Sequence, residues 1–289
     1  MGWVTDVGQA GPVTVRELVG DLFVEHVDRV TRRPVRLQDV VALLLDLGVA
    51  EPTTRMTMAV LRREGLFLTS RNGRETLYTP SEQLRAVAAL RAERARQRLQ
   101  TWDGRWRMVI YTVPESRRAA RERARRTLTR RGFGMLAPST WISPQEAALD
   151  EVRAELATEP AVRLDVLRAQ MADAEIPATD LELAHRCWDL DALAADYRQL
   201  LATMRAHLDG PRPQGAPALR THLLTLHAVR DAVGRDPALP PELVPADWPG
   251  HEVEQTWAAL RDELADPAAE HVAGRVGGSA QRCTVDMSG

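Results

Sequence analysis

Trp102-Asp103-Gly104-Arg105-Trp106-Arg107-Met108-Val109-Ile110-Tyr111-Thr112-Val113-Pro114 sets the frame for the fold. Met108 to Val113 is a run of mostly β-branched or apolar residues that Pro114 stops, which is the signature of a buried strand. Residues 116–130 hold neither Gly nor Pro and predict a helix with few apolar positions: Ala119, Ala120, Ala124 and Leu128. Gly132 and Gly134 fall where that helix must stop and turn. Thr140-Trp141-Ile142-Ser143, ended by Pro144, predicts a second strand. A helix from Gln145 to Ala157 and a strand from Val162 to Leu167 follow. This alternation is the pattern of a small split-βαβ sheet.

Upstream, residues 1–13 contain three Gly and a Pro and read as a loose leader. Leu18, Val19, Leu22, Phe23, Val27 and Val30 recur at helical spacing until Pro34; Leu37, Val40, Val41, Leu44 and Leu47 make a second stripe, closed by Gly48. Glu51-Pro52-Thr53-Thr54 opens a third helix, since Pro suits the first turn and an acid suits the positive end of the helix dipole. Thr54, Met58 and Leu61 share one face and are expected inside, with Met56, Ala59 and Arg63 opposite them and Val60 on the flank. Two β-rich runs, Leu66 to Ser70 and Glu75 to Thr79, then flank Arg71-Asn72-Gly73-Arg74, a strong hairpin signal. Three helices and a hairpin predict a winged helix-turn-helix. Its third helix would enter the major groove and its wing would touch backbone or minor groove. A docking module of the same shape is the alternative. The candidate DNA contacts are Thr53, Arg55, Thr57, Arg62 and Arg63 on the helix, with Arg71 and Arg74 on the wing. Met56, Ala59 and Val60 are poor readers of base edges, which require donors and acceptors, and Glu75 places a carboxylate near phosphates.

Composition narrows the class. An apolar fraction of 44% over 289 residues supports two or three packed domains. Cys187 and Cys283 stand far apart, so no disulfide framework or zinc site is expected. Residues 1–10 lack the basic and apolar regions of a secretory leader, and no apolar run is long enough to span a bilayer. A soluble, cytoplasmic, reduced protein with no membrane partner is the expectation. Every basic side chain is Arg, as coding bias towards GC-rich codons would give, and the net charge of −2 conceals an asymmetry. Residues 1–90 carry 11 Arg and 11 acids, residues 91–131 carry 14 and 4, and residues 132–289 carry 13 and 25. The middle segment is a basic belt, suited to phosphates or simply to a solvated helix face. There is no nucleophile elbow, P-loop or dinucleotide fingerprint. His222 and His227 are five apart and do not share a helix face, and Cys187 beside Trp188 reads as buried and inert. No catalytic residue, metal ligand or cofactor is therefore assigned.

Several motifs in order carry a resemblance: Trp102-Asp103-Gly104-Arg105-Trp106, Val113-Pro114-Glu115, Arg131-Gly132-Phe133-Gly134 and Trp141-Ile142-Ser143-Pro144. Downstream stand Trp188-Asp189-Leu190 with Tyr197, His227 and Arg230 on a helix, and Asp236-Pro237 leading to Trp248-Pro249-Gly250. Over about residues 15–270 the chain resembles the PaaX family of bacterial transcriptional regulators. The resemblance implies an α+β chain in three parts: an N-terminal winged helix-turn-helix (15–80), a central ferredoxin-like domain akin to Cas2 (102–178) and a helical C-terminal domain (179–271). A leader (1–14), a linker helix (81–101) and a disordered tail (272–289) complete it. Family recognition helices tend to run Val-Arg-Thr-Ala-Leu-Ser-Arg-Leu; this chain has Thr54-Arg55-Met56-Thr57-Met58-Ala59-Val60-Leu61, keeping Arg55. Cas2 nucleases carry a metal-binding Asp near the end of the first strand, where this chain has no carboxylate until Glu115. The central domain is therefore expected to be a non-catalytic dimerisation or hinge element. The resemblance further implies a homodimeric repressor of operator DNA, released by a small acyl-CoA or related metabolite. Such a ligand needs Arg for phosphates and an aromatic-lined slot for the acyl group. The candidates are Arg105, Trp106, Arg107 and Tyr111 in the centre and Trp188, Tyr197, His227, Arg230 and Trp248 downstream. A scaffold that has lost DNA reading and become a small-molecule enzyme or binding protein stays open as the alternative.

Overall fold

A computed structural model describes residues 13–31, 33–86, 102–171 and 179–281; of residues 278–281 only the backbone is described. The chain divides into two compact units. One comprises residues 1–95, 199–231 and 251–289, and the other residues 96–198 and 232–250.

The first unit begins with α1 (Val15–Leu22), opened by a capping box in which Thr14 and Glu17 satisfy each other's backbone N–H groups. The helix continues through a π turn (Phe23–Val27) and a last turn (Asp28–Val30). Then come β1 (Val35–Arg36), α2 (Leu37–Asp46), α3 (Glu51–Arg63), β2 (Phe67–Asn72) and β3 (Glu75–Pro80). Pro52 lies in the first turn of α3, and Thr54, Met58 and Leu61 are its buried residues, as the spacing predicts. In the hairpin Asn72 faces Glu75, which leaves Gly73-Arg74 as a two-residue turn, and Gly73 supplies the positive φ of 59°. The order β1-β3-β2 makes this a winged-helix sheet of three strands. Sequence patterning missed β1 because two residues cannot display alternation. The core joins Leu22, Phe23, Leu44, Met58, Phe67 and Tyr78. Residues 82–86 open a helix where the linker helix was expected; most of that linker, 87–101, lies outside the described residues, as does residue 1–12 of the leader.

The second unit holds β4 (Trp106–Thr112), α4 (Arg118–Arg130), β5 (Gly134–Ala137), β6 (Thr140–Ser143), α5 (Glu146–Leu156) and β7 (Arg163–Ala169). The antiparallel order β5-β6-β4-β7 is that of a ferredoxin-like sheet. The short β5 was read only as a turn. Its Gly134 has a packing reason: a Cβ there would lie 2.6 Å from Trp188 Cε2 and 2.7 Å from Cys187 Cβ. Val109, Tyr111 and Trp141 pack with Ala124 and Leu128 of α4 and Leu149 and Val152 of α5. Trp106 and Ile142 pack on the opposite side with Leu183 and Ala184 of α6 (Asp180–Cys187). Burial of the central strands on both faces is why Met108–Val113 reads as a continuous apolar run. Asp189 then caps α7 (Leu190–Leu208) by accepting from the Ala192 N–H at 3.0 Å.

The remaining helices are α8 (Gly215–Arg235) and α9 (Gly250–Gln281). Leu219 and Leu223 of α8 and Ala268 and Val272 of α9 belong to the same core as Leu22, Phe23 and Met58. Residues 199–231 and 251–289 therefore belong to the first unit. The tail expected from residue 272 is helical as far as Gln281: Val272 is fully buried, and Arg275 donates to Asp46 at 2.7 and 2.9 Å. Gly and Ser lower helix propensity there, but that packing and ion pair outweigh it. Among the described residues no helix is long and apolar enough to cross a membrane.

Candidate nucleic-acid interface

α3 and the hairpin present the expected contact residues. Arg55, Arg62, Arg63, Arg71 and Arg74 are exposed, and Thr53 and Thr57 are half-buried. Arg55 is tied to Glu51 one turn earlier at 2.7 Å. Among the described residues Arg62, Arg63, Arg71 and Arg74 enter no ion pair, although Arg63 Nε donates to Ala59 O on its own helix at 3.4 Å. Met56 is 64% exposed on the same helix and Leu68 61% exposed on β2, an apolar element among these cations. The repulsion expected of Glu75 is offset by a neighbour that sequence reading did not see: Arg36 of β1 pairs with it at 3.0 Å.

Of the candidate effector residues, Trp106, Trp188 and Trp248 share one hydrophobic cluster of the second unit. Trp106 sits between Trp102 and Trp188, with ring centroids 5.3 and 6.1 Å away, and donates from Nε1 to Asp180 at 2.7 Å. Tyr197 meets Trp248 at 5.8 Å and donates to Asp236 at 2.6 Å. Tyr111 packs in the other hydrophobic cluster, against α4 and α5. Arg107 is buried and engaged by Asp103 and Glu146. Its hydrogen bond to Asp103, and that of Arg168 to Glu146, hold both carboxyls below their ordinary range. Arg105 is exposed. His227 and Arg230 lie in the first unit, where Arg230 bridges Asp21 and Glu25 of α1. A shallow cleft of about 290 Å³ is lined by residues 185–191, including His185, Cys187 and Trp188. Burial pushes the Cys187 thiol up to about 11, so it holds its proton and is a poor nucleophile. Among the described residues no group of three or more His, Cys, Asp or Glu could hold a metal ion.

One polar cluster went unassigned in the sequence. His26, on the π turn of α1, and His222, on α8, are 3% and 1% exposed, with rings 4.6 Å apart at 85°. The Trp257 ring lies 5.5 Å from His222. His26 Nε2, both His222 ring nitrogens and Thr225 Oγ1 are buried with no hydrogen-bond partner among the described residues. Burial, then each ring's cationic neighbours, lower His26 to about 3 and His222 to about 4. The available signal was position: His26 falls on the Leu22–Val30 stripe and His222 next to Leu223, so both point inward.

Comparison with known proteins agrees with this architecture. Residues 99–180 match the PaaX protein central Cas2-like domain, and residues 188–274 match the PaaX-like protein C-terminal domain; together they span more than half of the chain. The transcriptional repressor PaaX of Escherichia coli K12 is 29% identical over 273 residues, covering 90% of this chain and 83% of the repressor. The uncharacterized protein Rv0674 from Mycobacterium tuberculosis shares the fold at a TM-score of 0.58 and 24% identity, over 81% of this chain and 90% of that one. Motifs, ferredoxin-like sheet, helical C-terminus and both domain matches coincide, and the chain belongs to the PaaX family of transcriptional regulators.

Proposed function

We propose that the chain is a homodimeric repressor that binds an inverted-repeat operator through α3 and the β2–β3 wing. The observation that carries this reading is the set of exposed guanidiniums, Arg62, Arg63, Arg71 and Arg74, which among the described residues enter no ion pair, on a helix and hairpin of winged-helix topology. Such groups neutralise phosphates and release counterions, which gives affinity a steep dependence on salt. A small acyl-CoA-like effector is proposed to release the operator. Its aromatic acyl group would use the Trp102–Trp106–Trp188 cluster beside the 185–191 cleft, with exposed Arg105 for its phosphates. The test is fluorescence anisotropy of a labelled duplex from the protein's own upstream region, titrated at several salt concentrations. Selective binding with a steep salt slope, relieved by an aromatic acyl-CoA, is expected. Binding no tighter than to random duplex at low salt would overturn it.

A second reading has its own observation. Met56, 64% exposed on the outward face of α3, is a side chain that reads no base edge. In that reading the head has lost DNA recognition and the scaffold binds a small molecule or another protein; failure of the titration favours it.

A further inference from the structure

We infer that α4, in the ferredoxin-like unit, is a second cationic surface that takes the phosphate backbone of duplex DNA without reading sequence. This rests on the reading that the chain binds DNA. The residues of α4 separate by flank. Arg123, Arg130 and Arg131 are neutralised by Glu159, Glu155 and Glu151 of α5 and the turn after it. Arg117, Arg118, Arg121, Arg125 and Arg126 enter no ion pair among the described residues, and Glu122 is the single acid within the helix. The helix start is equally one-sided. Arg117 stands at the N-cap, no side chain caps the turn, and the first turn holds no acid. Basic residues at that end oppose the helix dipole and destabilise the helix, so local stability does not explain them. Codon bias accounts for Arg in place of Lys but not for this clustering. From Arg117 to Arg126 the helix rises about 14 Å, a length over which a duplex carries about eight phosphate charges. The outward surface of a helix is convex, and the exposed members of this one are Arg apart from Ala119, Glu122 and Thr129. It therefore lacks the concavity that a small phosphorylated ligand needs and the aromatic anchors on which protein interfaces depend.

The test compares the full chain with its Arg118→Gln/Arg121→Gln/Arg125→Gln/Arg126→Gln variant, binding the upstream duplex and a random duplex across salt. Each lost phosphate contact removes about 0.9 from the slope of log affinity against log salt. The variant is expected to show a slope shallower by about 2–4, to weaken on both duplexes alike, and to keep its far-ultraviolet circular dichroism. The matching Arg→Lys variant, which keeps the charge, is expected to restore the slope. An unchanged slope in a folded Gln variant, or a loss confined to the operator, would overturn the inference while leaving the winged-helix reading intact. A wild-type chain that binds neither duplex would overturn both.

Discussion

Acid should unlock the joint between α1 and α8 well above the pH at which carboxylates titrate. His26 and His222 are neutral in the folded chain, with values of about 3 and about 4, against an ordinary 6.5. Below pH 6.5 the unfolded chain therefore binds more protons than the folded one. The pair's contribution is complete above about pH 6.5 and is lost as pH falls towards the folded values. Each imidazole withdraws about 1.4 kcal/mol per pH unit in that window, so the two together withdraw about 4 kcal/mol by pH 5. Against a typical total of about 5–15 kcal/mol that is a large share. Asp103 and Glu146 are held low by their Arg partners. For Glu155 burial pushes upward, but hydrogen bonds from Thr127, Arg130 and Arg131 prevail; all three act only at lower pH. Urea unfolding followed from pH 7.5 to 4.5 measures the effect in the wild type and in a His26→Leu/His222→Leu variant. The wild type should weaken steeply below pH 6.5. The variant should hold nearly level to pH 5, and at pH 7.5 it should be no less stable, since it buries no unpartnered nitrogen. Superimposable acid limbs, or imidazole resonances titrating near 6.5, would refute the reasoning.

Three further substitutions and measurements follow from named contacts. Arg230→Gln removes the guanidinium that bridges Asp21, 10% exposed at its side chain, and Glu25, which keeps its pair with Arg29; a loss of about 2 kcal/mol in urea unfolding is expected. Gly134→Ala drives a Cβ to 2.6 Å from the Trp188 ring and should cost about 1–3 kcal/mol, read by thermal melting. In a Cys283→Ser background, which removes the thiol outside the described residues, Cys187 should react slowly with a thiol reagent at pH 8. Its thiol is pushed up to about 11, and a rate equal to that of a free thiol would contradict its burial.

The parts of the fold legible in the sequence were those written in local periodicity. The stripes Leu18–Val30 and Leu37–Leu47, the inward trio Thr54, Met58 and Leu61, and the run Met108–Val113 each report one buried face. What stayed hidden was set by partners distant in sequence. β1 is two residues long and exists because Tyr78 and Leu77 of β3 pair with it. Leu219, Leu223, Ala268 and Val272 show only that α8 and α9 have apolar faces. Nothing in their spacing says that those faces meet Leu22 and Met58, some two hundred residues earlier. The exposure of Arg55, Arg62 and Arg63 was legible because exposure on an amphipathic helix is also periodic. The effector candidates were chosen by residue type, and type alone does not separate Tyr111 in one core from Trp106 in another.

The division of labour along α1 gives the fold a physical route for regulation. Leu18, Leu22 and Phe23 share one core with Met58 of α3, which couples α1 to α3. Asp21, Glu25 and His26 on the same helix meet Arg230 and His222 of α8. A displacement of α8 must then break buried ion pairs and reseat two imidazoles, or else carry α1 and α3 along. Well-packed interiors deform in discrete steps rather than continuously, which favours the second course. The π turn at Phe23–Val27 carries members of both sets, Phe23 of the first and Glu25 and His26 of the second. Any ligand that biases α8 thereby biases α3, and thermodynamic linkage makes the effect mutual.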